Sequence, residues 1–256
     1  MLANPEGLGS AQISNFNNSN LSREKLQNLV MTGSSFGIDE SGNPTHAAVP
    51  DKGLPYSGVG RNLEMGGNYP SMTVPTVTIQ RTVSRFRLVL SQLADAVGPV
   101  VQFTIKELSI DGDLLPLEES VFNDSDQPYK ISGGYLSQKV QFPIPSSIAS
   151  NLHPQNYAGR EGQSAQSFEA QILEGVQSGE LTQLGPYYFR ETNQPLSGSI
   201  SYSIMGGEDK VKTFSMSSAG FTRNHSWTVY LYFLSTEMDF QVSWTPWEQG
   251  QDFYVK

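Results

Sequence analysis

Trp227-Thr228-Val229-Tyr230-Leu231-Tyr232-Phe233 and Met238-Asp239-Phe240-Gln241-Val242-Ser243-Trp244 decide the fold. In both stretches every second residue is large and apolar, and polar residues or tyrosines fill the places between. A period of two marks a β-strand with one buried face. The short polar link Ser235 to Glu237 joins them into a β-hairpin. Tryptophan and phenylalanine at this density pack on a second sheet, not on water. Trp227 and Trp244 keep phase with the aliphatic residues and read as core. Trp247 follows Pro246 and falls out of the alternation, which makes it the candidate ligand aromatic.

Strand patterns run back from the hairpin to Val74. Val77, Ile79 and Val83 share one face, and Phe86, Leu88 and Leu90 take the other. That change of phase implies a bulge or a strand covered on both sides. Val101, Phe103 and Ile105 alternate, and Leu108 and Ile110 shift phase again. Strands are also expected from Tyr129, at Val140, Phe142 and Ile144, at Tyr187 to Phe189, and at Ile200, Tyr202 and Ile204, with a turn at Gly206-Gly207. Two helices are expected. One follows Ser22, with Leu26, Leu29 and Val30 on one face and Gly33 at its end. The other spans Ser164 to Gly179, with Phe168, Ile172 and Val176 four residues apart. The fold class is all-β, a pair of tandem sandwiches with at most one or two short helices. The polar stretch Glu118 to Pro128 is the best boundary, giving residues 1–122 and 123–256.

Composition narrows function. The chain has 256 residues, enough for one large or two ordinary domains. Charged residues make up 16%, so much of the polar surface comes from Ser, Thr, Asn, Gln and Gly, as suits a secreted β-rich protein. The net charge of −9 offers no basic face to nucleic acid or to anionic lipid. With no cysteine there is no disulfide, thiolate metal site or cysteine nucleophile. Met1 to Pro5 has neither the basic nor the apolar region of an export signal. The expectation is a chain that begins after its signal.

Catalytic motifs fail on context. His46, His153 and His225 lie far apart, without the spacing of a zinc site. Gly33-Ser34-Ser35-Phe36-Gly37 has the letters of a nucleophile elbow, but a helical pattern precedes it and turns follow. Asp111-Gly112-Asp113 and Asp124-Ser125-Asp126 read as turns, since neither continues into a full calcium loop. Glu118 and Glu119 are adjacent, so on an extended segment they point to opposite faces and make no acid/base pair. No catalytic, metal or cofactor-binding residue is assigned, and the chain is read as a non-enzyme. Arg81, Arg85 and Arg87 share a strand face by parity and read as a solvated or salt-bridged strand edge.

Five segments together resemble the fimbrillin-like pilins of type V bacterial pili. Leu54-Pro55-Tyr56-Ser57-Gly58 is similar to that family's (I/L)-P-M-S-G, with Tyr56 in place of Met. Val77 to Phe86 is similar to its L-x-R-x-V-A-R strand, with Ser84 in place of Ala. Pro186 to Thr192 sits where the family has an aromatic strand leading to P-E-N, with Glu191 the clear match. Phe221 to Val229 resembles R-N-x-x-Y-x-V, and Val242 to Trp247 resembles the terminal V-x-V-x-P-W. The resemblance covers about residues 54–247.

This resemblance implies two transthyretin-like, Greek-key sandwiches; this sequence departs from it in an amino-terminal domain that reads as short of its first strand or strands. It implies a lipoprotein exported to the outer membrane and assembled into a surface fimbrium by donor-strand exchange. Its partners are then other pilin subunits and a host or bacterial surface glycan or protein, with any membrane contact through a lipid anchor outside this chain. A donor strand alternates apolar residues, and Phe253 and Val255 of the terminal Asp252-Phe253-Tyr254-Val255-Lys256 do so. The rival reading is a surface glycan-binding protein built on exposed aromatics such as Trp247.

Overall fold

The computed structural model describes residues 2–3, 24–25, 28–32, 53–59, 78–93, 103–111, 116–120, 122, 131–135, 139–145, 148, 150–151, 157, 162–192, 194–216, 220–233 and 237–247. The strands in chain order are β1 (Leu2–Ala3), β2 (Val30–Thr32), β3 (Tyr56–Ser57), β4 (Gln80–Arg81), β5 (Val83–Leu93), β6 (Phe103–Ile110), β7 (Pro116–Ser120) and β8 (Ile131–Tyr135). After them come β9 (Val140–Gln141) and β10 (Ser150–Asn151), then the helix α1 (Ala165–Gln177). The chain continues through β11 (Thr182–Arg190), β12 (Leu196–Ile204), β13 (Lys210–Met216), β14 (His225–Phe233) and β15 (Met238–Pro246).

The expected hairpin β14–β15 forms, and its register sets Trp227 opposite Trp244, Val229 opposite Val242 and Leu231 opposite Phe240. It joins a five-stranded sheet in which β14 runs parallel to β5, while β10 and β11 pair with the other side of β5. Register puts Phe86, Leu88 and Leu90 level with Trp227, Val229 and Leu231. This apolar face packs on an antiparallel sheet of order β13-β12-β6-β9. The second sheet contributes Ile105, Leu108, Ile110, Leu196, Ile200 and Phe214 to one shared core. The phase shift read in β6 is a bulge. Ser201 pairs with Glu107 and Tyr202 with Ile105, so Lys106 is the extra residue and both halves of the strand face inward.

β5 and β6 come from before residue 122, and β11 to β15 from after it. Both sheets mix the two groups, so the boundary expected at 122/123 falls between strands that share one hydrophobic core. Two further three-stranded sheets, β1-β3-β4 and β2-β7-β8, complete the described strands.

The other face of the five-stranded sheet is covered by α1. Ser164 caps the helix, its hydroxyl accepting from the Ser167 N–H at 3.1 Å. Phe168 and Ile172 point from it into a second apolar cluster with Val89, Tyr157, Leu181, Tyr230 and Tyr232. Burying each of those two side chains stabilises the layer by roughly 1.5–3 kcal/mol. Gly179, at φ +80, closes the helix, and its N–H donates to Val176 O at 3.2 Å. β5 is therefore covered on both faces and buried from Val83 to Ser91.

Three expectations need correcting. The helix expected after Ser22 is present at Glu24 and Lys25, where the Asn28 N–H donates to Glu24 O at 3.1 Å, but Val30 does not belong to it and lies in β2, opposite Ser120. At Val30, pairing across ninety residues of chain outweighed the local pattern. Arg81, Arg85 and Arg87 are buried and not solvated; Arg85 and Arg87 are salt-bridged, but on β5, an interior strand between β14 and β11, while Arg81 lies on β4 at the end of its own sheet. Trp244 keeps phase with the core residues but is 40% exposed, because β15 lies at the border of its sheet.

Candidate functional site: an arginine-aromatic junction

The starts of β5 and β14 and the ends of β11 and β15 lie at the same end of the sheet, as their pairing requires. Asn224 ties three of these segments together. Its N–H donates to Val83 O at 2.9 Å, and its own carbonyl accepts from the Trp247 N–H at 2.8 Å. Its side-chain oxygen accepts from Arg81 Nη1 at 3.3 Å. The residue sits at φ 56, in the left-handed region that asparagine tolerates better than most residues.

Around this hub the Thr82 N–H donates to Pro55 O at 3.0 Å, and Tyr56 pairs with Arg81. The Thr192 N–H donates to Phe221 O at 2.8 Å, and Arg223 Nε lies 2.6 Å from Glu191 Oε2. Gly58 is needed for close approach, because a Cβ there would lie 2.1 Å from Thr78 O.

Trp247 fills the middle. It is 2% exposed and packs with Leu54, Val83 and Tyr188. Its indole stacks on the Tyr188 ring at 5.8 Å and 12°. The guanidinium carbons of Arg81 and Arg85 lie 4.2 and 4.4 Å from its centroid. Trp247 is thus a packing centre with its faces already in use. A sugar could stack on it only after displacing these neighbours. Among the described residues Trp244 is the exposed large aromatic instead, and stacks on His225 at 4.7 Å and 8°.

Beside the junction, Glu169 of α1 reaches down to the sheet. Its Oε1 accepts from Arg87 Nη2 at 2.9 Å and from Ser226 Oγ at 2.8 Å, and lies 3.6 Å from Arg85 Nη2. Its Oε2 accepts from the Thr245 hydroxyl. The basic stripe and the helix are therefore joined by a buried ionic network. A cavity of about 80 Å³ opens here beside Arg85, Gln166, Leu173 and Thr245. Small-molecule sites run to roughly 300–1,000 Å³, so this one is too small for a cofactor.

Sequence reasoning missed Glu169 and Asn224. Glu169 had a signal, since it lies three residues before Ile172 and seven before Val176, a carboxylate within the apolar stripe of the helix. Of the other residues weighed, Glu118 and Glu119 are neighbours on β7, and Asp111 accepts from the Ser197 hydroxyl at 2.9 Å. Phe253, Val255, His46, His153, the Gly33 to Gly37 loop and Asp124 to Asp126 lie outside the described residues.

No protein-family profile and no curated protein matches the sequence. Solved structures do match. A candidate cell adhesion protein from Parabacteroides distasonis aligns over 98% of this chain and 76% of its own, with TM-score 0.47 and 11% identity. The tip fimbrial protein Mfa3 from Porphyromonas gingivalis aligns over 94% of this chain and 78% of its own, with TM-score 0.46 and 11% identity. The neighbours are fimbrial and cell adhesion proteins. A further candidate cell adhesion protein, from Bacteroides eggerthii, aligns over 90% of this chain and 72% of its own, with TM-score 0.45 and 12% identity.

Proposed function

We propose that this chain is a structural or adhesive subunit of a cell-surface pilus, joined to its neighbours by donation of a β-strand. The junction carries the reading. Five segments resemble pilin motifs, and they are scattered over nearly two hundred residues of chain. Each contributes to one cluster: Pro55 and Tyr56, Arg81 and Val83, Tyr188 and Glu191, Phe221 and Asn224, and Trp247. Chance matches of short motifs have no reason to meet in space.

The strand layout suits the assembly. β15 pairs with β14 on one side, and no described strand pairs with its other side. An open edge is a template for another chain, and an edge that differs from its donor propagates into a filament. The proposed donor is the terminal segment with Phe253 and Val255 alternating. On this reading the protein is not an enzyme. It sits at the outer membrane as part of a secreted lipoprotein fimbrium, and its partners are other pilin subunits.

The test compares surface extracts of cells carrying the intact chain with those carrying a chain that ends at Glu248. Extracts are run in SDS with and without boiling. The expected result is a heat-sensitive ladder for the intact chain and its loss in the shortened one. A single monomer band in all lanes overturns the shaft role, and an unchanged ladder overturns the donor segment.

The glycan-binding reading has one observation in its favour, the exposed Trp244 ring backed by His225. Trp244→Ala lowering glycan affinity while leaving the unfolding midpoint unchanged would favour it.

A further inference from the structure

Arg81 is 1% exposed. Its Nη1 donates to Asn224 Oδ1, but its Nε and Nη2 have no hydrogen-bond partner. Among the described residues no carboxylate pairs with it, whereas Arg85, Arg87 and Arg223 each have one. The rings of Trp247 and Tyr56 lie 4.2 and 5.5 Å from the guanidinium carbon. They shelter the cation without accepting its N–H groups in the plane of the fork.

The two open donors lie on the same edge of the guanidinium, the edge that grips a carboxylate side-on with two parallel bonds. A buried guanidinium left without an anion is costly. The surrounding fold nevertheless holds this one in place, through Asn224, Trp247 and the pairing of β3 with β4. A site kept at a cost to stability is a mark of function. We propose that Arg81 is a receptor for one carboxylate, gripped by Nε and Nη2, with Tyr56 as the ring that moves aside to admit it. Tyr56 is only half-buried, so its ring can turn aside by side-chain rotation while the backbone of β3 stays paired with β1 and β4.

The site holds a single unpaired cation between two aromatic rings. It therefore suits a small, flat, singly charged ligand over a phosphate. A free carboxylate and the side chain of an acidic peptide offer the same chemistry. The inference does not depend on polymerisation and stands or falls separately from the subunit reading.

The experiment is thermal unfolding of the full chain in sodium formate, sodium nitrate and sodium chloride at equal ionic strength. At ten times its Kd, formate raises Tm over chloride by roughly 3–5 °C. Arg81→Met relieves the uncompensated charge, so it folds without loss of Tm and shows no difference between formate and chloride. Arg81→Lys keeps the charge, loses the fork and gives a reduced response. Protection by acetyl-Gly-Asp-Gly-amide but not by its Asn analogue assigns the site to an acidic peptide, and protection by formate alone to free carboxylates. Nitrate, also flat and singly charged, is expected to protect as well; an equal formate effect in Arg81→Met, or no protection by formate over chloride in the native chain, overturns the proposal.

Discussion

Arg87 Nη2 lies 2.9 Å from Glu169 Oε1, joining the central strand of the sheet to a helix 82 residues further along the chain. Both side chains are buried, and the same carboxylate oxygen accepts from Ser226 and faces Arg85. Removing the carboxylate takes a shared anion away from two guanidinia in a low-dielectric layer. Glu169→Ala is therefore expected to destabilise the fold by about 3–5 kcal/mol, as breaking a buried pair does. Urea unfolding checks it. A loss of under 1 kcal/mol would mean that water reaches the network freely, as at an exposed ion pair.

Trp247 carries a second prediction. Its ring touches Tyr188 and two arginines, and it is closed from solvent. Trp247→Ala is expected to cost roughly 3–5 kcal/mol of stability, the usual loss for a buried large aromatic. Chemical unfolding with near-ultraviolet circular dichroism as the readout tests it. A variant that unfolds like the native chain would return Trp247 to the role of an accessible ligand aromatic.

Alkaline pH supplies a third. The Tyr232 hydroxyl donates to Asp239 Oδ2 at 3.1 Å. Burial first, and then that carboxylate, push its pKa up from 10.0 to about 12. Burial pushes the neighbouring Tyr230 up as well, although its hydrogen bond with Ser91 works the other way. A raised tyrosine pKa means that the folded state holds the proton where the unfolded chain has released it. The contribution is whole below pH 10 and is lost as pH rises toward 12. Stability should thus fall over that interval, and Tyr232→Phe should flatten the fall. Unfolding midpoints taken across pH 9 to 12 decide it; identical slopes in the two proteins would count against the argument.

What the sequence made legible was what repeats along it. The alternation at Trp227 to Trp244 marked the hairpin, the spacing of Phe168, Ile172 and Val176 marked α1, and the phase shift at Ile105 to Leu108 marked the bulge. β13 went unread because Lys210 and Lys212 precede Phe214 on the same strand face, which hides the alternation. The arginine stripe was located by parity, but parity cannot say what covers a face. The cover is α1, and its Glu169 comes from another part of the chain. The junction was half-visible. Short motifs marked its members, yet nothing in linear sequence showed that Asn224 bonds both Val83 and Trp247.

Asn224 permits a separation of two roles. Its left-handed φ of 56 favours asparagine or glycine, and its side chain supplies the acceptor for Arg81. Asn224→Ala loses both, and the expected cost is roughly 2–4 kcal/mol from backbone strain and a hydrogen bond to a charged group. Asn224→Gly keeps the conformation and loses only the acceptor, so it should be milder by about 1 kcal/mol. Because Arg81 then has no acceptor at all, the glycine variant should also be more strongly stabilised by formate than the native chain. Thermal unfolding of both variants with and without formate measures the two terms apart. Equal losses would place the whole effect on the side chain, and equal formate responses would mean that the Asn224 contact does not hold the Arg81 guanidinium.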